Sequence, residues 1–278
     1  MKQAIFLMVF FSSFIPVCGQ WHISSLNINA PKNIVEIAAQ SKNSVWALVQ
    51  NKENVFSIYL WDGATWSIVS GIINGPVQRF DIIGFVPVIL TAQEAESQRI
   101  LALKNNAFIT RHTFNTPLPV INIIEFHNTL LALENSKIHP IGQLPNALQY
   151  LTKLNHISDW TVDETERLWL VEKTLVGQGR QTTLFIKLKY WDELSQTLKQ
   201  AYQQMGPRIF KFSSGRGKTI WSLQGDAPTQ LYAFWWDSAA NKWDIAGALK
   251  GLKSIDVTPD GTVYGLHHNN TIYEWREH

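Results

Sequence analysis

The chain has 278 residues, a formal net charge of +2 and 17% charged residues. That near-neutral balance offers no basic face to nucleic acid or to an anionic bilayer, and 45% hydrophobic content excludes a disordered chain. With a single cysteine there is no internal disulfide frame, so a compact fold must rest on its core.

The first element is "MKQAIFLMVFFSSFIPVCG", residues 1–19: one lysine, an apolar run, then the small pair around Cys18. It reads as a secretory signal peptide cut before Gln20, too short and too early for a membrane span. Lipid attachment at Cys18 is the rival reading, and Val17 is bulky for the position before an acylated cysteine. The expectation is a secreted or periplasmic protein formed by residues 20–278, with no membrane span.

From Gln20 onward the chain repeats itself, which must be settled before any single site is weighed. Trp46, Trp169, Trp221 and Tyr264 each follow a large apolar residue nine positions earlier: Ile37, Trp160, Phe212 and Ile255. Polar or turn-forming residues lie between, as in Lys42-Asn43 and Pro259-Asp260-Gly261, so each stretch reads as strand, tight turn and strand. Phe80 with Ile89, and "INIIEFHNTLLAL" with Leu131, supply two weaker copies. A third strand follows in each unit, ending in tryptophan at Trp61, Trp191, Trp236 and Trp275. A fourth opens at Trp66 and Trp243.

The last unit stops at "NTIYEWREH" without a fourth strand, while "QWHISSLN" near the start is a spare one whose Trp21 matches Trp66 and Trp243. Pairing the two closes a ring. The expected fold is therefore all-β: a six-bladed β-propeller with four antiparallel strands per blade, the N-terminal strand completing the last. The blades fall at approximately 33–71, 75–115, 118–145, 153–204, 206–248 and 250–278, the last joined by 20–27. Ten of the twelve tryptophans enter three recurring columns, leaving Trp160 and Trp235.

"SIDVTPDGTVYGLHHNNTIYEW" and "IYLWDGATWSIVSG" resemble the tectonin repeats of tachylectin-like six-bladed lectins. The likeness is good in blades one, five and six, moderate in four and poor in two and three. It implies a sugar-binding, non-catalytic protein whose partner is a glycan or glycoconjugate. No ligand residue is carried over from the family.

Catalytic and metal signatures are thin. "SSGRGKTI" has Phe212 where a phosphate loop needs glycine, so it reads as a turn. No His-Glu-x-x-His or Gly-x-Ser-x-Gly occurs, and the histidines are scattered. Asp163, Glu164 and Glu166 share one hairpin turn, while Glu53, Glu94, Glu96 and Asp226 spread along the opposite rim, without an evident facing pair for glycoside hydrolysis. The expectation is no enzyme, no cofactor and no metal. Polar loops between second and third strands share one rim and carry sugar-type donors and acceptors. Arg180, Gln181, Gln224, Asp226, His267, His268 and Asn269 are the candidates there, Asn269 also being a glycosylation acceptor in a eukaryotic host. Trp235, the extra tryptophan of its strand, is the candidate for stacking on a sugar. A protein-interaction scaffold is the alternative, and a propeller glycosidase or lyase the third reading.

Overall fold

The computed structural model describes residues 19–69, 72–94, 96–177, 183–195, 197–207, 209–213 and 219–276. Residues 1–18, expected as a signal peptide, and 214–218, expected as a turn, lie outside the described residues. Six antiparallel sheets form a six-bladed β-propeller. Blade one holds Ile34–Ser41, Ser44–Lys52, Val55–Trp61 and Trp66–Ile68, from inner to outer strand. Blade two runs from Val77–Ile83 to Ala107–Asn115, blade four from Ile157–Val162 to Thr197–Met205, and blade five from Ile209–Phe212 to Lys242–Lys250. In blade six, Leu252–Val257, Val263–His267 and Ile272–Arg276 are joined by Gln20–Ile23. Trp21 lies opposite Trp275 and Ile23 opposite Tyr273, so the ring is closed by its first strand as the repeat count required.

Blade three is the exception. It has three strands, Val120–Phe126, Thr129–Glu134 and Lys137–Pro140. A 3-10 helix, Asn146–Lys153, then replaces the fourth. Its period of three sets Leu148 and Leu151 on one face, and both are buried against Phe126, Ile157, Trp160 and Trp191. Tyr150 stacks on Trp191 of blade four with ring centroids 3.4 Å apart.

The tryptophan columns explain why the blades hold together. Trp61 faces Trp66, Trp236 faces Trp243 and Trp275 faces Trp21 as cross-strand pairs, with centroids 5.8, 5.5 and 5.5 Å apart. Each ring removes roughly 150–250 Å² from water, and the edge contact adds about 0.5–1.5 kcal/mol. In blades one and five the third and fourth strands are joined by a turn that begins with Asp. Asp62 accepts from the Ala64 and Thr65 N–H groups at 2.9 and 2.8 Å, Asp237 from Ala239 and Ala240 at 2.9 and 3.0 Å. Two of the three fourth-strand indoles, those of Trp21 and Trp66, also latch backwards. Trp21 donates to the Ala246 carbonyl of blade five at 2.6 Å, and Trp66 to the Leu26 carbonyl behind blade six at 2.7 Å. Gly265 makes room for this: a Cβ there would lie 2.9 Å from Leu252 and 3.0 Å from Trp21.

Blade two corrects one anchor of the repeat. Phe80 pairs directly with Ile89, and the residue in the place of Trp46 is Val88, opposite Asp81. Blade one carries an extra residue before its turn, between Ala39 and Ser41, and blade two does not. A one-residue slip points a side chain to the other face. Six apolar clusters result, one between each pair of neighbouring blades.

Candidate functional site

The turns between second and third strands of blades five and six meet, and the His268 ring reaches the Pro228 carbonyl at 3.0 Å. The candidates differ in what remains for a ligand. Gln224 is 5% exposed, with its amide nitrogen on the Ser222 hydroxyl at 2.8 Å. His267 accepts from the Asn269 N–H on Nδ1, so Nε2 is the protonated nitrogen and donates to the Lys250 carbonyl at 2.9 Å. Asn269 uses its side-chain oxygen on the Thr271 N–H, while its remaining atoms, with Asp226 and His268, stay exposed. Trp235 is half-buried and packs against the apolar cluster between blades five and six. Arg180 and Gln181 lie outside the described residues.

Two other places have the shape of sites. The first is a shallow pocket of about 340 Å³ on the shoulder between blades six and one. The link leading into blade one gives it Asn29, Lys32 and Asn33, and the second strand gives Gln50 and Asn51. Tyr59 and Trp66, both half-buried, supply ring faces. Asn33 has φ +57°, and its carbonyl accepts from the Gln50 N–H at 3.1 Å, which fixes the link against the strand. The loop "VQNKEN" was legible as a rim loop; that Trp66 and Asn29 join it was not, because they come from other segments.

The second place is the axis. A β-bulge falls at one point in the inner strands of blades one, two, three, four and six, just before Glu36, Arg79, Asn122, Asp159 and Ser254. Lys211 of blade five precedes Phe212 in the same way. These six ring the channel. An inner strand is an edge strand, whose outward N–H groups need partners. Here the preceding blade supplies them. Glu36 accepts from the Phe80 N–H at 2.8 Å, Asp159 from the Phe212 N–H at 2.7 Å, and Asp256 from the Ala39 N–H. Asn122 donates to Asp159 at 2.9 Å.

The channel widens at both ends. Around Glu36, Asn122, Asp159 and Lys211 it holds about 270 Å³. At the end formed by the first hairpin turns it holds about 460 Å³, between Asp81, Glu125, Asp256, Trp160 and the turn residues Phe85, Glu164 and Glu166. Arg79 lines both chambers. Burial raises the Asp81 carboxyl well above its usual range, Asp256 and Glu36 push the same way, and Arg79 opposes them. Burial also raises Glu36 against Arg79, the Phe80 N–H and Lys211. For Arg79 burial pulls down, but Asp81, Glu36, Asp159 and Asp256 together hold the guanidinium charged. Asp81 lies 3.7 Å from Arg79 Nε, too far for a hydrogen bond. Among the described residues, Arg79 Nε, Trp160 Nε1 and Asn122 Oδ1 are buried without a partner, each at a cost of about 1–3 kcal/mol unless something else satisfies it.

Among the described residues no group of three or more His, Cys, Asp or Glu side chains could hold a metal ion, and no helix is long and apolar enough to cross a membrane.

No protein-family model and no curated protein matches the chain. Solved propellers do. The PQQ-bound aldose sugar dehydrogenase of Streptomyces coelicolor is similar with a TM-score of 0.59 and 12% identity, over 94% of this chain and 99% of that one. A chain of the mitotic checkpoint complex gives 0.51 and 11%, over 88% and 90%. The lectin SapL1, solved with alpha methyl fucoside, gives 0.46 and 12%, over 77% and 79%. At these identities the likeness is one of fold, and function must come from the sites.

Proposed function

We propose that the protein is an exported carbohydrate-binding propeller that holds a glycan on the shoulder between blades six and one and does not process it. The observation that carries this is the lining of that pocket: two half-buried aromatic rings beside four side-chain amides and one lysine. Ring faces suit the C–H side of a pyranose, and amides offer a donor and an acceptor to neighbouring hydroxyls. The tectonin resemblance of blades one and six, which border the pocket, agrees with it. A shallow site of this kind is weak alone and gains strength on a repetitive surface.

A glycan array with the purified protein is the test. We expect sugar hits that Tyr59→Ala weakens about tenfold, the loss of one stacking contact. A blank array ends this reading. A protein scaffold is the second reading, favoured by the exposed Leu175, Val176 and Met205 at one end of blade four, 69%, 52% and 72% exposed. It predicts a blank array and a partner whose capture depends on Leu175.

A further inference from the structure

The wide end of the axial channel shares no residue with the shoulder pocket, so what it can do is a separate question. Its volume of about 460 Å³ lies within the range of small-molecule sites, about 300–1,000 Å³. Its walls are largely apolar: Ile82, Ile83, Ile124 and Val162 come from the inner strands of blades two, three and four.

Two residues that line it, Trp160 and Arg79, carry buried donors, Nε1 and Nε, with no acceptor among the described residues. Trp160 is 1% exposed, so its N–H is not shared with bulk water. An occupant with acceptor oxygens is what these donors lack. Charge narrows the class further. Asp81, Glu125, Glu164, Glu166 and Asp256 stand among the lining residues and disfavour an anion. Arg79 lines both chambers and offsets part of that charge, and an occupant without a charge of its own is exposed to neither sign.

Phe85 adds a third sign. It has φ +67°, a conformation that a bulky residue rarely adopts, and it is 80% exposed beside the cavity. No packing in the fold requires an aromatic ring there, and strain of this kind gathers at ligand sites. A ring at the opening supplies the flat apolar face that a sugar-like molecule stacks on.

We propose that this end of the channel is a second ligand site, which takes one small, neutral, hydroxyl-rich molecule of about monosaccharide size. Its oxygens accept from Trp160 and Arg79, and its C–H face lies on Ile82, Ile124 and Phe85. Asp81 stands on the same wall as a further polar partner for a hydroxyl.

The test is saturation-transfer NMR and calorimetry on the protein with glucose, galactose, mannose, N-acetylglucosamine, fucose and myo-inositol. Gluconate and glucosamine serve as charged comparators. We expect at least one neutral compound to bind saturably and more tightly than either charged one. That binding survives Tyr59→Ala, which reports on the shoulder alone. Trp160→Phe removes the N–H and should weaken binding about tenfold. Phe85→Gly touches no core and relieves the backbone, so it gives the same answer if Trp160→Phe fails to fold. The idea is overturned if no neutral compound binds, if a charged one binds better, or if binding ignores Phe85→Gly and a folded Trp160→Phe. A crystal soaked with the panel that shows only water on Trp160 Nε1 overturns it too.

Discussion

The outer strands and the axis of this propeller are built on opposite rules. Outside, one place is filled by one chemistry on blade after blade: Trp61, Trp191, Trp236 and Trp275 hold equivalent positions, with Leu103 and Ile141 standing there in blades two and three. Inside, one place is filled by six different residues, Glu36, Arg79, Asn122, Asp159, Lys211 and Ser254. Apolar contact is non-directional and can be repeated, so the outer strands tolerate a single solution used many times. A ring of edge strands around a narrow axis cannot repeat a charge six times without repulsion, so its members differ and pair across blades. The lesson is that the wheel is held by its repeats and given its chemistry by its irregularities.

The largest test of the first half is Trp236→Ala. The ring is 4% exposed and touches Trp169, Tyr202 and Trp243 at 6.3, 5.6 and 5.5 Å between centroids. Its loss should cost about 3–5 kcal/mol, read from the denaturant midpoint. Ile141→Ala, at the equivalent half-buried place in blade three, should cost clearly less, because the 3-10 helix and not a partner strand covers that blade. Equal penalties would break the comparison.

Next in size is Asp256→Ala on the axis. Its carboxylate accepts from the Ala39 N–H across the closing seam and from the Val257 N–H at 2.9 Å. Removing it strands two backbone donors beside a narrow channel, and about 1–3 kcal/mol should go. Asp256→Asn keeps one acceptor oxygen and should recover part of that loss. A variant as stable as the parent would mean that water caps the inner edge unaided.

This contrast also decides what could be read from the sequence. Aromatic columns show up as periodicity, so the six blades, the spare strand at Trp21 and its pairing with Trp275 were all legible. The shift from Ile89 to Val88 was not, since an extra residue before a turn leaves no mark in composition. Nor was the helix of blade three, where Leu148 and Leu151 at a spacing of three gave too short a signal. The rim loops were legible as polar turns, but Gln224 and His267 turned out to spend their polar atoms on neighbours. The channel was hidden for a different reason. Its residues look like variation between repeats until topology brings them to one axis.

The smallest expected effect separates the two halves by pH. Asp81 carries a carboxyl held well above the ordinary 3.8, because burial, with Asp256 and Glu36, outweighs Arg79. In the unfolded chain the same group titrates in the ordinary range, so between the two values the folded state binds the extra proton. Stability from this group is therefore complete below the ordinary range and is lost as pH rises through the folded value. Asp81→Asn keeps an oxygen for the Ile82 N–H, which Asp81 receives at 2.7 Å, and cannot ionise. Unfolding midpoints of parent and variant should nearly coincide in mild acid and separate in favour of the variant as pH rises. A gap that instead favours the parent at high pH would mean that the ion pair with Arg79 governs the axis and that burial does not. The Trp236→Ala penalty has no proton in it and should stay constant over the same range, so a pH series on both variants tells the two kinds of cohesion apart in one experiment.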